Sequence, residues 1–143
     1  ACQGTTLTFT AQGGSAFWWK GPNGFLSNSQ IPVINNVSVG ADGMYTLTVL
    51  MGQCYSSVTK SITVYPVPQV NILDPGPLCE TKTALLIAQG SSNIVSFDWT
   101  GPSNYAASGP TVSIGNAAKS NAGVYTVDVV DIHGCVNAAN IAV

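Results

Sequence analysis

Apolar and polar residues alternate along this chain in short bursts, and the bursts come twice. Leu7-Thr8-Phe9-Thr10-Ala11 alternates cleanly, and Ala84-Leu85-Leu86-Ile87-Ala88 answers it. Tyr45-Thr46-Leu47-Thr48-Val49 and Tyr125-Thr126-Val127-Asp128-Val129 are the strongest alternations. A period of two sets every second side chain on one face of a strand, so these segments predict half-buried β-strands. Phe17 with Trp19, and Phe97 with Trp99, each place an aromatic pair on one core face. Further strands are expected from Ile34 to Val39, Thr111 to Ile114, Val58 to Val64 and Asn137 to Val143. No apolar stripe of helical period persists, because Gly, Pro, Asn and β-branched residues interrupt every long window. Short strands at a spacing of about 8–12 residues, separated by turn residues, predict an all-β chain of sandwich type.

The pattern is a duplication. Cys2, Trp19-Lys20-Gly21-Pro22, Gly43-Met44-Tyr45 and Cys54 are answered by Cys79, Trp99-Thr100-Gly101-Pro102, Gly123-Val124-Tyr125 and Cys135. Trp and Tyr are 26 residues apart in both copies (45−19 and 125−99). A repeat of 77 to 81 residues (79−2 and 135−54) is domain-sized rather than a solenoid unit. Two domains are therefore expected, over 1–65 and 66–143, with a Pro-rich linker over about 65–77. Tyr65-Pro66-Val67-Pro68 and Asp74-Pro75-Gly76-Pro77 should be extended, since proline removes donors and restricts the residue before it. Val70 and Ile72 alternate and suit a first strand of the second domain. No such segment precedes Cys2, so the first domain is expected to lack its first strand or to borrow one.

Composition narrows the function classes. Only 7% of residues are charged and none is Arg; four scattered lysines at pI about 4.8 cannot build a phosphate-binding face, so nucleic acid is not an expected partner. Residues 1–64 carry Lys20 and Lys60 against Asp42, a net of +1, and residues 65–143 carry two lysines against five acids, a net of −3. Neither value suggests electrostatic steering. No apolar run approaches the ~18 residues of a membrane span. No signal-peptide pattern opens the chain, and both ends fall at repeat boundaries, so a piece of a longer array with its export signal elsewhere is expected.

A Trp some 17–20 residues after a Cys (19−2 and 99−79), followed by Asp42-Gly43-Met44-Tyr45 or Asn121-Ala122-Gly123-Val124-Tyr125, resembles the immunoglobulin fold. There the Trp packs on the core and the Tyr forms a corner at the start of a late strand. More narrowly, W-x-G-P-x-x-[FY] with a Gly-x-Tyr strand and a late Cys is similar to tandem immunoglobulin-like modules of large Bacteroidetes surface proteins. Those proteins include adhesin-like, gliding-associated and polysaccharide-degrading proteins exported by the type IX route. The resemblance implies two tandem immunoglobulin-like β-sandwiches, each with one disulfide, and core positions at Phe17, Trp19, Tyr45, Phe97, Trp99 and Tyr125. Phe9 and Leu86 are expected to face Leu47 and Val127 across that core.

The chain departs from the antibody pattern in two ways. Leu47 and Val127 stand where the second Cys would be, and the cysteines come 9 or 10 residues after the Tyr (54−45 and 135−125). Bridges are therefore expected at one end of each sandwich. Of the three possible pairings, Cys2–Cys54 with Cys79–Cys135 repeats one closure in both copies and is the expected one. Each bridge would add about 4 kcal/mol by loop entropy. Four reduced thiols are the alternative, and no metal-ligand spacing is present. The corner ion pair of the family is also missing, since Ala41 and Asn121 hold the acid's seat and no Arg exists; a side-chain cap from Asn121 is expected instead.

No catalytic residue is expected. His133 lies in Asp131-Ile132-His133-Gly134-Cys135 among turn residues, without a nucleophile beside it. Asp98, Asp128 and Asp131 lack a calcium-loop pattern and read as solvated single charges. Trp18 points away from the core, and its counterpart is Asp98. With Phe25, Tyr55 and Tyr105 near turns, it forms a candidate sugar platform, although Phe25 and Tyr105 suit a packing role after Gly-Pro better. Asn36-Val37-Ser38 fits a glycosylation sequon, which under the bacterial resemblance carries no meaning. The expected function is a non-enzymatic spacer, stalk or adhesive segment of an exported, cell-surface or secreted bacterial protein. It would need no cofactor and no metal, and its partners would be neighbouring modules of the same chain, a glycan or a surface ligand. The alternative is a carbohydrate-binding accessory module of an extracellular polysaccharide-degrading enzyme.

Overall fold

The computed structural model describes residues 1–143 and consists of β-strands and short 3-10 turns. Two units divide it, Ala1–Pro66 and Val67–Val143. In unit 1, β1 (Leu7–Thr8) pairs with β4 (Val33–Ile34) as a small sheet. Its second sheet has the order β3 (Leu26–Ser27), β2 (Ala16–Lys20), β5 (Gly43–Met51), β6 (Cys54–Ile62). In unit 2, β7 (Val70–Leu73), β8 (Ala84–Gly90) and β11 (Thr111–Ile114) form one sheet, with β8 central. The other has the order β10 (Tyr105–Ser108), β9 (Ile94–Gly101), β12 (Val124–Asp131), β13 (Val136–Ala142). All of these pairings are antiparallel. Each unit is a two-sheet sandwich, with the side chains of period two forming its core.

The repeated motif is one interlocking cluster. Trp19 pairs with Leu47, and Trp99 with Val127, in the same register. Each indole N–H donates to a carbonyl ten residues on, Ser29 and Gly109, at 2.9 Å. The Tyr45 hydroxyl donates to the Ala41 carbonyl and that of Tyr125 to the Asn121 carbonyl, both at 2.9 Å, so each tyrosine corner is closed. Burial raises both phenol pKa values above the usual tyrosine range. Gly21 and Gly101 leave room for the Tyr ring: a Cβ there would come within 2.5 Å of it. Gly43 and Gly123 adopt φ 137° and 145°, and a Cβ on either would press on Pro22 or Pro102. Trp, Gly-Pro and Gly-x-Tyr are thus spaced as they are because they touch. Asn121 supplies its cap through Oδ1, which accepts the Ala118 amide at 2.9 Å.

Three expectations change. The strand expected from Ile34 to Val39 stops at Ile34. Asn36 takes φ 50°, and Val37 turns to bond Thr5 instead. The formal strand over Leu7–Ala11 ends at Thr8; Phe9 and Ala11 still donate to Pro32 and Gln30, but Pro32 has no amide to return.

The third change concerns the cysteines. Cys54 and Cys79 are exposed free thiols, whereas Cys2 and Cys135 are disulfide-bonded. Neither Cys2–Cys54 nor Cys79–Cys135 is formed, and the strands show why. Cys2 bridges Tyr65, beyond the Ile62 end of β6, while Cys54 opens β6 at its other end. Eight residue steps of strand separate those ends, about 26 Å. Bridged Cα atoms lie about 4–7 Å apart. In unit 2, Cys79 shares a cavity with Ala142 and Val143 at the far end of β13, and Cys135 precedes its near end. In both units, first and second cysteines sit at opposite ends of the sandwich.

Candidate functional site

The outer face of the β2–β5–β6 sheet holds the candidate site. Register sets Trp18 opposite Thr48 and Thr48 opposite Ser57; the next rows are Ala16–Leu50–Tyr55 and Lys20–Thr46–Thr59. Residues opposite each other in an antiparallel pair share a face, so Trp18 and Tyr55 stand on the same side, diagonally across β5. Their ring centroids are 6.0 Å apart, with the planes tilted by 49°. Both rings are substantially exposed. Thr48 and Ser57 hydroxyls hydrogen-bond at 2.9 Å beside them. A shallow groove of about 610 Å³ runs along Trp18, Lys20, Leu26, Asn28, Thr46 and Thr48. The face offers aromatic rings, hydroxyls, an amide and one cation, with no carboxylate lining the groove.

Phe25 and Tyr105 go elsewhere. Phe25 packs on Tyr45 (5.6 Å) and Phe9 (6.2 Å). Tyr105 packs edge-on against Tyr125 at 5.2 Å and donates its hydroxyl to the Ser113 carbonyl. Burial raises the Tyr105 phenol pKa as well. Of the four aromatic platform candidates, the structure brings Trp18 and Tyr55 together and sets the other two against the core. The corresponding face of unit 2 has another chemistry. Asp98 stands opposite Asp128, and Ser108 donates to Asp98 at 3.1 Å.

Asp131 is not a solvated charge. It is buried, and its Oδ1 accepts the backbone amides of His133 and Cys135, both at 2.8 Å, while Oδ2 accepts the Asn93 side-chain amide at 3.0 Å. The His133 Nδ1 lies 3.7 Å from Oδ2. Burial alone would raise the Asp131 pKa, but the two amide bonds and the imidazole outweigh it and hold the carboxyl below its ordinary value. Asp131 therefore holds the β12–β13 turn. The signal in the sequence was an Asp two residues before His-Gly-Cys, an Asx-turn arrangement. No group of three or more His, Cys, Asp or Glu side chains is placed to hold a metal ion. No helix is long and apolar enough to cross a membrane.

Sandwich topology, tyrosine corners and the Trp-centred core define a class of fold, and a solved structure agrees on it. The chain is similar to three N-terminal domains of the bacteriophage RB49 highly immunogenic outer capsid protein Hoc, at 18% identity and TM-score 0.50, over 99% of this chain and 54% of that one. It is also similar to the N-terminal four Ig domains of Dscam1 isoform 6.9, at 18% identity and TM-score 0.46, over 99% of this chain and 41% of that one. The amphioxus IgVJ-C2 molecule matches at 15% identity and TM-score 0.44, over 99% of this chain and 97% of that one. The chain thus spans less than half of the Dscam1 structure and about half of the Hoc structure. No protein-family model and no curated protein matches it. The protein is all-β, with two tandem immunoglobulin-like β-sandwiches.

Proposed function

We propose that this chain is a non-enzymatic spacer or adhesive segment of an exported bacterial surface protein, working outside the cell. The observation that carries the reading is how the titratable side chains are used. Asp131, beside the only histidine, is spent on a turn, Asp42 accepts the Val64 amide, and Asp98 is bonded to Ser108. Asp131 and Asp42 hold backbone amides and Asp98 holds a side-chain hydroxyl, and the three converge on no common point where a reacting atom could sit. The proline-punctuated linker and the low-charge Ser/Thr/Asn surface suit a support exposed to varied conditions. Immunoglobulin-like folds host many roles, so the reading leans on the site and not on the fold. Beads carrying the chain test it: retention on at least one protein or polysaccharide film marks an adhesive segment, and retention on none marks a spacer. Turnover of any substrate in the same assay would overturn both.

The Trp18–Tyr55 pair favours a second reading, a carbohydrate-binding accessory module. Exposed aromatic faces give large contact area at low entropic cost, and the surrounding hydroxyls and Asn28 supply the hydrogen bonds a sugar needs. Pull-down on insoluble cellulose, chitin and xylan, with Trp18→Ala as control, checks it. Binding that survives the substitution would remove this face from consideration.

A further inference from the structure

The outer sheet faces of the two units compare position by position, because the same register holds in both. On β2–β5–β6 one row carries Trp18, Thr48 and Ser57, and the next Lys20, Thr46 and Thr59. On β9–β12–β13 the same rows carry Asp98, Asp128 and Ala138, then Thr100, Thr126 and Asn140. Val136, opposite Val130, stands where unit 1 has Tyr55 opposite Leu50. One face thus sets two aromatic rings beside a cation. The other sets two carboxylates opposite each other, with neither ring nor cation in those rows.

Lys20 is the one charged side chain in the unit 1 rows. It stands two residues from Trp18 on the same side of β2, about 7 Å along the strand. It is exposed and makes no ion pair; the one ion pair of the chain is His133 with Asp131 in unit 2. Asp42, the only acid of unit 1, lies outside these rows and accepts the Val64 amide at 3.1 Å. A ligand carboxylate would therefore meet an uncompensated ammonium beside an exposed ring. The whole chain has a net charge of −2, so it draws no polyanion from a distance, and selection has to arise at contact. Hydroxyls of Thr46, Thr48 and Ser57 share the rows and suit a ligand rich in hydroxyls.

We propose that the outer face of unit 1 binds a polysaccharide bearing uronic acids, an inference that rests on the carbohydrate reading above and deepens it. With centroids 6.0 Å apart, Trp18 and Tyr55 make one platform rather than two. A sugar ring lies over that platform, and its carboxylate accepts a hydrogen bond from the Lys20 ammonium. The charge-assisted bond selects an acidic sugar over a neutral one, and the rings select a sugar over an acidic peptide. Asp98 and Asp128 repel the same ligand from the matching face of unit 2, so each chain holds a single site.

Affinity electrophoresis of the full chain tests this with polygalacturonate, its methyl ester and poly-glutamate as soluble probes. The dissociation constant for polygalacturonate should be at least about tenfold lower than for the ester, the size of one hydrogen bond to a charged group. Lys20→Gln should bring the acid and the ester level by weakening the acid alone. Lys60→Gln removes the same charge from the other side of the sheet, opposite Tyr45, and should leave the preference intact. Trp18→Ala should weaken both. Equal affinity of the unaltered chain for acid and ester, or a preference that survives Lys20→Gln, overturns the proposal and leaves the carbohydrate reading standing. Binding of neither overturns both. Poly-glutamate bound as tightly as polygalacturonate overturns it too, because the face then reads charge alone. So does self-association of the unliganded chain that Trp18→Ala abolishes, because the occupant is then a second copy.

Discussion

Both units carry the same Trp, Gly-Pro and Gly-x-Tyr interlock, with the same hydrogen bonds, yet their cores are built and closed differently. Unit 1 fills its centre with rings: Phe9 lies 5.2 Å from Trp19 and 4.7 Å from Tyr45, and Phe25 packs beside them. Unit 2 places Leu86 in the Phe9 position and covers the cluster from the side with β7. Large rings hold a core together with fewer strands around it, because each buries more area per residue. The comparison separates two jobs that the repeat had merged. The interlock sets the corner and the register in both units, and the core behind it differs, with rings in unit 1 and mainly aliphatic side chains in unit 2.

The largest effect that would sharpen this contrast comes from the tryptophans. Trp99→Ala should destabilise unit 2 by about 3–5 kcal/mol, the range for removing a buried aromatic side chain. Trp19→Ala should cost unit 1 less, because Trp19 is already 7% exposed against 1% for Trp99. Hydrogen exchange resolved by unit measures both, and equal costs would break the distinction. Next come Gly21→Ala and Gly101→Ala. Each forces a methyl against a tyrosine ring, at about 1–3 kcal/mol by overpacking, and chemical denaturation should show similar losses in both units. Tyr45→Phe and Tyr125→Phe should each cost about 1 kcal/mol, since one hydroxyl hydrogen bond to a carbonyl is lost.

Acid should then separate the units. The Asp131 pKa is lowered on folding, so its contribution is fully present above the unfolded carboxylate value, about 3.9, and is lost as pH falls through the folded value. Unit 2 should therefore lose stability on acidification to that range, and Asp131→Asn should flatten the dependence in a pH series of melting curves. The smallest effects are expected at the exposed thiols. Cys54→Ser and Cys79→Ser should change stability by no more than about 0.5 kcal/mol. Alkylation of the native protein should label both, and peptide mapping under non-reducing conditions should recover no Cys2–Cys54 link. Recovery of that link would contradict the placement of those residues at opposite ends of unit 1.

Much of this was legible one residue at a time. Alternation marked Tyr45–Val49 and Tyr125–Val129, because a strand half-buried in a sandwich must repeat every second residue. Duplication of Trp-x-Gly-Pro and Gly-x-Tyr marked the interlock, and Asp98 in place of Trp18 marked where the copies part. The bridges were misread because sequence symmetry pairs cysteines within a copy and says nothing about which end of a strand each occupies. Asp131 was misread because the Asx-turn pattern gives its local amide bonds but not the bond from Asn93, 38 residues away.

The sequence by itself determined the fold class, the two repeats and their core aromatics. Those properties follow from local period and from motif residues that every copy must keep in order to fold. Only the tertiary structure decided which thiols are exposed, that Tyr55 joins Trp18, and that Asp131 is buried. Each of these depends on distances between segments far apart along the chain, which are set when strands pair in register.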